Sequence, residues 1–291
     1  MTLTPSLWET WKRCWKGSRR RSKKVGWLKE LMNDEAQRFE IYSLDSLYYG
    51  IGALAGRQLE STSAQNDKVV IRQRTIILRR GEKGRDYKEA IVKIPNITGI
   101  SDPEALRKIR SILDLKNVFG DSLEEIRSGF EESSWLTEIT YKVNYNANYI
   151  LDITFFESGV GPYPDTQIEH RIINLKTGAL LKAADVFRSS SLDALVKLVE
   201  GAMRAELRDG IKKYGRDEVA TEQLEETLHE AKFGMENLDN FSINNTGVTF
   251  LYDFGFPHVI KALEPSGRYF FSYERLKGDI KQDGLLGVFV R

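Results

Sequence analysis

The feature that most limits the possible folds is a run of three strand-like segments between residues 136 and 175. Over Leu136–Tyr145, apolar and polar residues alternate with the period of a half-buried strand. Tyr149–Glu157 and Thr166–Leu175 are similarly rich in β-branched and aromatic residues. Short connections separate the three, with an irregular loop expected over Gly159–Pro164. The pattern predicts an antiparallel meander.

The remaining helix and strand signals are grouped along the chain rather than alternating. Predicted strands lie at residues 69–80, 87–94, 241–243, 248–254 and 268–273, and Pro95 is expected to end the second of them. Predicted helices lie at residues 101–120, 122–127, 192–214 and 221–231. Grouped elements favour an α+β fold with antiparallel sheets and helices packed on one face.

Three parts follow from these patterns. Residues 1–68 are predicted to be a basic, tryptophan-rich N-terminal arm with a polar linker, residues 69–130 an N-terminal α+β subdomain, and residues 131–291 a C-terminal α+β subdomain. The chain has a net charge of +1, so its overall charge selects no partner.

The arm concentrates tryptophan and positive charge. Residues 1–30 hold four of the five tryptophans, and residues 12–29 contain no acid. In a helix, Trp8, Trp11 and Trp15 would share one face. Such a segment docks into a protein groove, binds an anionic membrane surface or binds nucleic acid, in our order of preference, and a solvated tail is the remaining alternative. The predicted binding residues of the arm are Trp8, Trp11, Trp15, Arg19, Arg20, Arg21 and Trp27.

A second candidate site is the connection Ser158–Asp165. Its glycines, prolines and tyrosine predict a rigid, exposed recognition loop, although a connection merely shaped by its prolines is an equally good interpretation. The predicted binding residues here are Gly161, Pro162, Tyr163, Pro164 and Asp165.

Three blocks of sequence suggest a family. They are Ala90–Leu113, with a strand, a proline, a glycine and a helix; Ile139–Phe187, with a strand pair, a Gly-x-x-Pro loop and an Asn-x-x-Thr-Gly turn; and Phe241–Ile280, with closing strands and a short helix. Together they resemble the extracytoplasmic domain of the lysozyme-sensing RsiV-like anti-sigma factors and the non-catalytic region of PdaC-type peptidoglycan deacetylases. The matching residues of the second block are Gly161, Pro164, Asn174, Thr177, Gly178, Asp185 and Phe187.

The resemblance covers about residues 90–280 and does not extend to residues 1–68. It implies a domain without catalytic residues that binds a protein or a cell-wall-related partner. The family's loop histidine is missing, because Val160–Pro164 reads VGPYP.

No catalytic, cofactor or metal site is predicted. The three histidines, His170, His229 and His258, show no metal-binding spacing, and His170 is expected to be a packed or edge residue. No phosphate-binding glycine motif or nucleophile elbow occurs, and Cys14 is interpreted as a bystander thiol. The carboxylates of the meander are interpreted as charges on a solvent face; they are Asp152, Glu157, Asp165 and Glu169.

The sequence therefore predicts a non-catalytic binding or assembly protein. Its expected partner is another protein or a multiprotein complex, with an anionic membrane surface second and nucleic acid third. The alternatives are a cell-wall glycan hydrolase, a lysozyme-binding or inhibitor protein, and a nucleic-acid-binding accessory protein. No clear signal peptide is present, which favours the cytoplasm or the cytoplasmic face of a membrane.

Overall fold

A computed structural model describes residues 67–81, 88–132, 134–161, 164–215, 217–256, 261 and 263–291. All of them belong to one compact unit, Ser63–Arg291. The arm lies outside the described residues, as do Pro162 and Tyr163 of the predicted loop. Their binding roles remain predictions.

The larger of two sheets has six strands in the order β1-β2-β3-β4-β5-β6. Neighbouring strands are antiparallel except β2 and β3, which are parallel at two residue pairs. The strands are β1 (Val70–Arg79), β2 (Glu89–Thr98), β3 (Leu136–Ala147), β4 (Ile150–Val160), β5 (Pro164–Asn174) and β6 (Ala179–Leu180). This sheet contains strands from both sides of residue 130, where the sequence suggested a subdomain boundary.

Strand β2 continues through Pro95, although the sequence predicted that the strand ends there. Arg80 N donates to Lys88 O, so even-numbered residues of β1 exchange hydrogen bonds with β2. Pro95 is opposite the odd-numbered Gln73, so its position faces away from β1. A residue at this position would not donate its N–H to β1. Proline, which has no N–H, therefore costs the β1–β2 ladder no hydrogen bond. The prediction that Pro95 stops the strand was wrong.

Three helices connect β2 to β3: α1 (Pro103–Ile112), α2 (Leu115–Phe119) and α3 (Leu123–Glu132). The single helix predicted over residues 101–120 is two helices, because Asp114 caps a new start by accepting from Lys116 N. The cap of α1 is Asp102 rather than Ser101. Gly120 ends α2 in the left-handed conformation that favours glycine.

The second part of the fold follows β6. It contains α4 (Ala183–Val186), α5 (Leu192–Tyr214), α6 (Glu218–Glu230) and α7 (Tyr273–Leu276), and a sheet of β7 (Phe241–Ile243), β8 (Gly247–Leu251) and β9 (Arg268–Ser272). The long helix α5 has the bounds that its apolar stripe predicted. Among the described residues, no helix has both the length and the apolar character of a membrane span.

The core is divided by the six-stranded sheet. Buried side chains of α1, α2 and α3, including Ile109 and Phe130, pack with one face of the sheet. A larger apolar cluster joins Ile150 and Ile172 of the six-stranded sheet to α5 and the second sheet. The α+β prediction is confirmed, with one parallel strand pair added to it.

Candidate binding surface

The predicted recognition loop is mostly β-hairpin. Strands β4 and β5 pair without a register shift from Ile150 opposite Asn174 to Val160 opposite Pro164. The connection is therefore residues 161–163, and the irregular loop expected over Gly159–Pro164 was too long. Gly159 suits a strand here because an added Cβ atom would lie 3.2 Å from the carbonyl oxygen of Trp135.

The hairpin brings the described loop residues to one end of the sheet. Gly161 is half-buried, and the backbone of Pro164 begins β5. Asp165 is exposed, and its Oδ1 accepts from Thr166 N at 2.8 Å.

Strand register identifies the side chains that share the sheet face opposite the helices, since directly paired residues lie on the same face. Ile77 pairs with Ile91, Ile91 with Glu138, and Glu138 with Ser158. In the next row, Thr140 pairs with Phe156, and Phe156 with Ile168. We call this surface the open face: Ile77, Ile91, Glu138, Thr140, Phe156, Ser158, Thr166 and Ile168.

The open face exposes large apolar side chains. Ile168 is 54% exposed, Ile77 51% and Ile91 40%. Single exposed isoleucines are ordinary on a surface, but Ile77 and Ile91 are direct cross-strand partners and Ile168 lies beside the half-buried Phe156. Polar contacts separate these groups: Lys93 Nζ lies 2.6 Å from Glu138 Oε1, and the hydroxyls of Ser158 and Thr166 are 3.1 Å apart.

At its other end, the same face is covered by the second sheet, around the buried carboxylate of Asp152. Asp152 Oδ1 lies 2.7 Å from Asn144 Nδ2 and 2.8 Å from His170 Nε2. Asp152 Oδ2 accepts from Ser242 Oγ at 2.9 Å and from Ile243 N at 2.7 Å. The interpretation of Asp152 as a solvent-face charge was wrong, because strand β7 packs over its position.

This polar cluster is suited to joining the two sheets rather than to nucleophilic catalysis. The hydroxyl of Ser242 donates to the carboxylate, and the imidazole of His170 contacts the other oxygen of that carboxylate. A catalytic triad instead needs the histidine between the hydroxyl and the acid. The His170 side chain is only 7% exposed, which fits the packed histidine expected from the sequence.

The other three carboxylates of the meander do not converge on one point. Asp165 is exposed at the hairpin tip, and Glu169 lies 3.1 Å from Arg171 Nη1 in an ion pair. Glu157 is half-buried, and its burial, followed by the nearby carboxylate of Asp121, raises its pKa above the usual value. A shifted pKa alone does not supply the second, correctly spaced carboxyl group that a glycosidase requires.

No grouping of three His, Cys, Asp or Glu side chains suitable for a metal ion occurs within the described part of the chain. Two grooves are present there. One of about 470 Å³ is lined by Tyr149, Lys176 and Asp283, among others. The other, of about 290 Å³, is lined by His170, Lys182 and further residues. Both are open rather than enclosed.

No family model matches the chain, and no curated protein matches it. A solved DUF3298 family structure from Bacteroides fragilis NCTC 9343 is 14% identical and covers 77% of this chain and 98% of its own, with a TM-score of 0.50. Another, from Pseudomonas aeruginosa PAO1, is also 14% identical, covering 73% and 94% with a TM-score of 0.47. The fold of this chain is thus similar to that of a DUF3298 family protein, and the resemblance to RsiV-like domains remains a prediction.

Proposed function

We propose that the chain is a non-catalytic binding protein. In this proposal, the open face and the tip of the β4–β5 hairpin contact a protein partner, and the N-terminal arm docks onto a protein complex or a membrane surface. The observation that carries the proposal is the exposure of Ile77, Ile91 and Ile168 on one ordered sheet surface.

Burying one exposed isoleucine side chain contributes roughly 1.5–3 kcal/mol, so a partner that covers Ile168 and the Ile77–Ile91 pair gains a substantial driving force. The Lys93–Glu138 pair and the hydroxyls of Ser158 and Thr166 lie between these apolar groups and offer a partner polar contacts. Protein interfaces usually combine apolar and polar contacts.

The non-catalytic part of the proposal is supported by the geometry of the Asp152 cluster. Its serine, histidine and carboxylate are largely buried, and the serine hydroxyl donates to the carboxylate while the histidine contacts the other carboxylate oxygen. Turnover of peptidoglycan fragments by the full chain, with loss of turnover in Asp165→Asn or Glu169→Gln, would favour the glycan hydrolase instead.

The role of the arm is supported by composition. Tryptophan and arginine are enriched among the residues that dominate binding energy, and Trp8, Trp11, Trp15, Arg19 and Arg20 belong to this class. Anionic vesicles, duplex DNA and a recovered protein partner are separate probes of the arm. We expect that changing the three tryptophans to alanine abolishes recovery of the protein partner. We also expect that the unaltered chain binds neither vesicles nor DNA.

Affinity isolation with the full chain as bait tests the open face. Ile168→Lys should reduce recovery of the partner because it replaces the most exposed of the three isoleucines with a charge. Gln167→Lys is the matched control: it adds the same charge to an exposed neighbour on the opposite sheet face. Equal recovery by unaltered chain and Ile168→Lys would contradict the assignment of this surface.

A further inference from the structure

Strand β1 is the edge of the six-stranded sheet, and it is long for an edge strand. Its ten residues pair with β2 on one side. Within the described residues, no strand pairs with its other side. Such an edge can accept an additional strand, which makes it a site of peptide recognition in some proteins and a source of aggregation in others.

The ladder identifies the backbone groups on the free side. Because Arg80 N donates to Lys88 O, the N–H and C=O groups of even-numbered β1 residues point toward β2. The odd-numbered residues therefore point their N–H and C=O groups outward. These residues are Ile71, Gln73, Thr75, Ile77 and Arg79.

The residue just before β1 is hydrogen-bonded to β3. Val69 N donates to Asn146 Oδ1 at 3.0 Å, and Asn146 Nδ2 donates to Val69 O at 2.9 Å. These two bonds fix the point at which β1 begins, so the edge runs from Val70 to Arg79.

The side chains along this edge carry unbalanced positive charge. Arg79 is paired with Glu89 at 3.0 Å, and Arg80 donates to the carbonyl oxygen of Phe130 at 2.8 Å. Arg72 and Arg74 are exposed, share one face of the strand, and have no acidic partner in the described part of the chain. On the other face, Ile77 and Ile91 form an exposed apolar pair.

We propose that the free edge of β1 binds an extended, acidic peptide segment as a seventh, antiparallel strand. Two acidic side chains two residues apart would lie opposite Arg74 and Arg72. An apolar side chain three residues before the first acid would lie opposite Ile77. The recognised pattern is apolar-x-x-acid-x-acid, with backbone hydrogen bonds to Ile71, Gln73, Thr75 and Ile77.

Charge distinguishes this occupant from a second copy of the chain. Cations on an edge strand discourage pairing between identical copies. With a two-fold axis at Gln73, two copies of β1 would place Arg72 opposite Arg74. An acidic segment would instead place opposite charges across from Arg72 and Arg74. Opposite charges directly across a sheet stabilise the pairing, whereas like charges destabilise it. The inference rests on the proposed binding function and names the segment and the edge involved.

The probe is a capped peptide, acetyl-Thr-Ile-Thr-Thr-Glu-Thr-Glu-Thr-amide, titrated into the full chain and followed by backbone amide shifts. Binding should perturb β1 and weaken as salt is added, because the charges are exposed. A peptide with lysine in place of both glutamates should bind at least about tenfold more weakly. N-methylation of the fourth and sixth residues, whose amides face β1, should abolish binding, whereas N-methylation of the fifth should not.

The matching protein variant is Thr75→Pro. It removes an outward N–H and leaves the β1–β2 ladder intact, as Pro95 does on β2, and circular dichroism checks that the fold is kept. We expect Thr75→Pro to abolish peptide binding and Thr75→Val to preserve it. The Arg72→Glu and Arg74→Glu double variant should instead prefer the lysine peptide.

Three results would overturn the inference: no binding at millimolar peptide, binding that survives Thr75→Pro, or a dimer in sedimentation that Thr75→Pro converts to a monomer. The last would identify a second copy as the occupant. Ile168→Lys separates this inference from the proposed function. If the peptide fails to bind but partner recovery still depends on Ile168, the edge inference alone is wrong.

Discussion

Asp152 shows how a single position can be misread from sequence. The alternation of β4 places it on the same face as Thr154, which is the pattern of a strand with one solvated side. Its partners Ser242 and Ile243 lie 90 and 91 residues further along the chain. The alternation of residues in β4 therefore does not reveal that β7 covers this face. A buried carboxylate with four polar contacts indicates a structural role, because an unpaired buried charge is very costly.

Replacing this carboxylate should destabilise the protein strongly. Asp152→Ala leaves the buried donors of Ser242 and Ile243 without their acceptor, and we expect a loss of at least about 3 kcal/mol in the free energy of unfolding. Urea denaturation followed by circular dichroism measures it. Asp209→Ala is the control, since Asp209 pairs with Lys212 on the exposed surface of α5 and its loss should be close to zero. If the two changes lowered the free energy of unfolding equally, the structural role assigned to Asp152 would be wrong.

Glu157 should make stability depend on pH in an unusual direction. Its burial, and then the nearby Asp121, raises the pKa of Glu157 above the ordinary 4.5, so the folded state holds the proton more tightly than the unfolded state. The stabilisation from proton uptake is present below pH 4.5 and is lost as pH rises through the folded pKa. Glu157→Gln should therefore raise the melting temperature near neutral pH, and the gain should vanish below pH 4.5.

Glu125 provides the opposite case in the same titration. Hydrogen bonds from Ser122, followed by the charge of Lys116, lower the pKa of Glu125. Its contribution to stability is present above pH 4.5 and is lost as pH falls through the folded pKa. Glu125→Gln should lower the melting temperature near neutral pH. A shift of the same sign for both variants would contradict the assigned causes.

At the scale of elements, the sequence predicted the strands of the meander and the bounds of the long helix, because their periodicities are strong. It missed two features that depend on which direction a backbone group faces. Pro95 does not end β2, because its position faces away from β1. The β4–β5 hairpin is longer than expected, since Gly159 and Pro164 continue the ladder despite being turn-forming residues.

The turn after β5 contains Gly178, a position where both the backbone conformation and a neighbouring helix require glycine. Gly178 has φ of +70°, and an added Cβ atom would lie 2.8 Å from the Cα atom of Ala105 in α1. Gly178→Ala should therefore lower the free energy of unfolding by more than about 2 kcal/mol, combining backbone strain with a steric collision. Calorimetric or urea unfolding measures the loss.

Gly120 separates the two contributions. Its φ of +96° carries the same kind of strain, but an added Cβ atom there meets nothing within 4 Å. Gly120→Ala should cost only about 1 kcal/mol, close to the intrinsic left-handed penalty. Equal losses at the two glycines would show that the contact with α1 contributes nothing.

At the scale of the whole molecule, the proposed binding surface results from incomplete coverage of one sheet by the described elements. Helices α1, α2 and α3 pack on one face, and among the described residues the second sheet covers the end of the other face near Asp152. Sequence periodicity shows that a residue such as Ile168 alternates with polar neighbours, but not whether a distant element covers it. The α+β class was therefore predictable, and the open face was not.

Hydrogen–deuterium exchange on the full chain, alone and with a protein recovered by affinity isolation, tests the proposed binding surface most directly. We expect the partner to slow exchange at Gln167–His170 in β5 and Ile76–Ile77 in β1, while the amides of β8 stay unchanged. Protection confined to α5 and the second sheet, with exchange in β5 and β1 unaltered, would contradict the account.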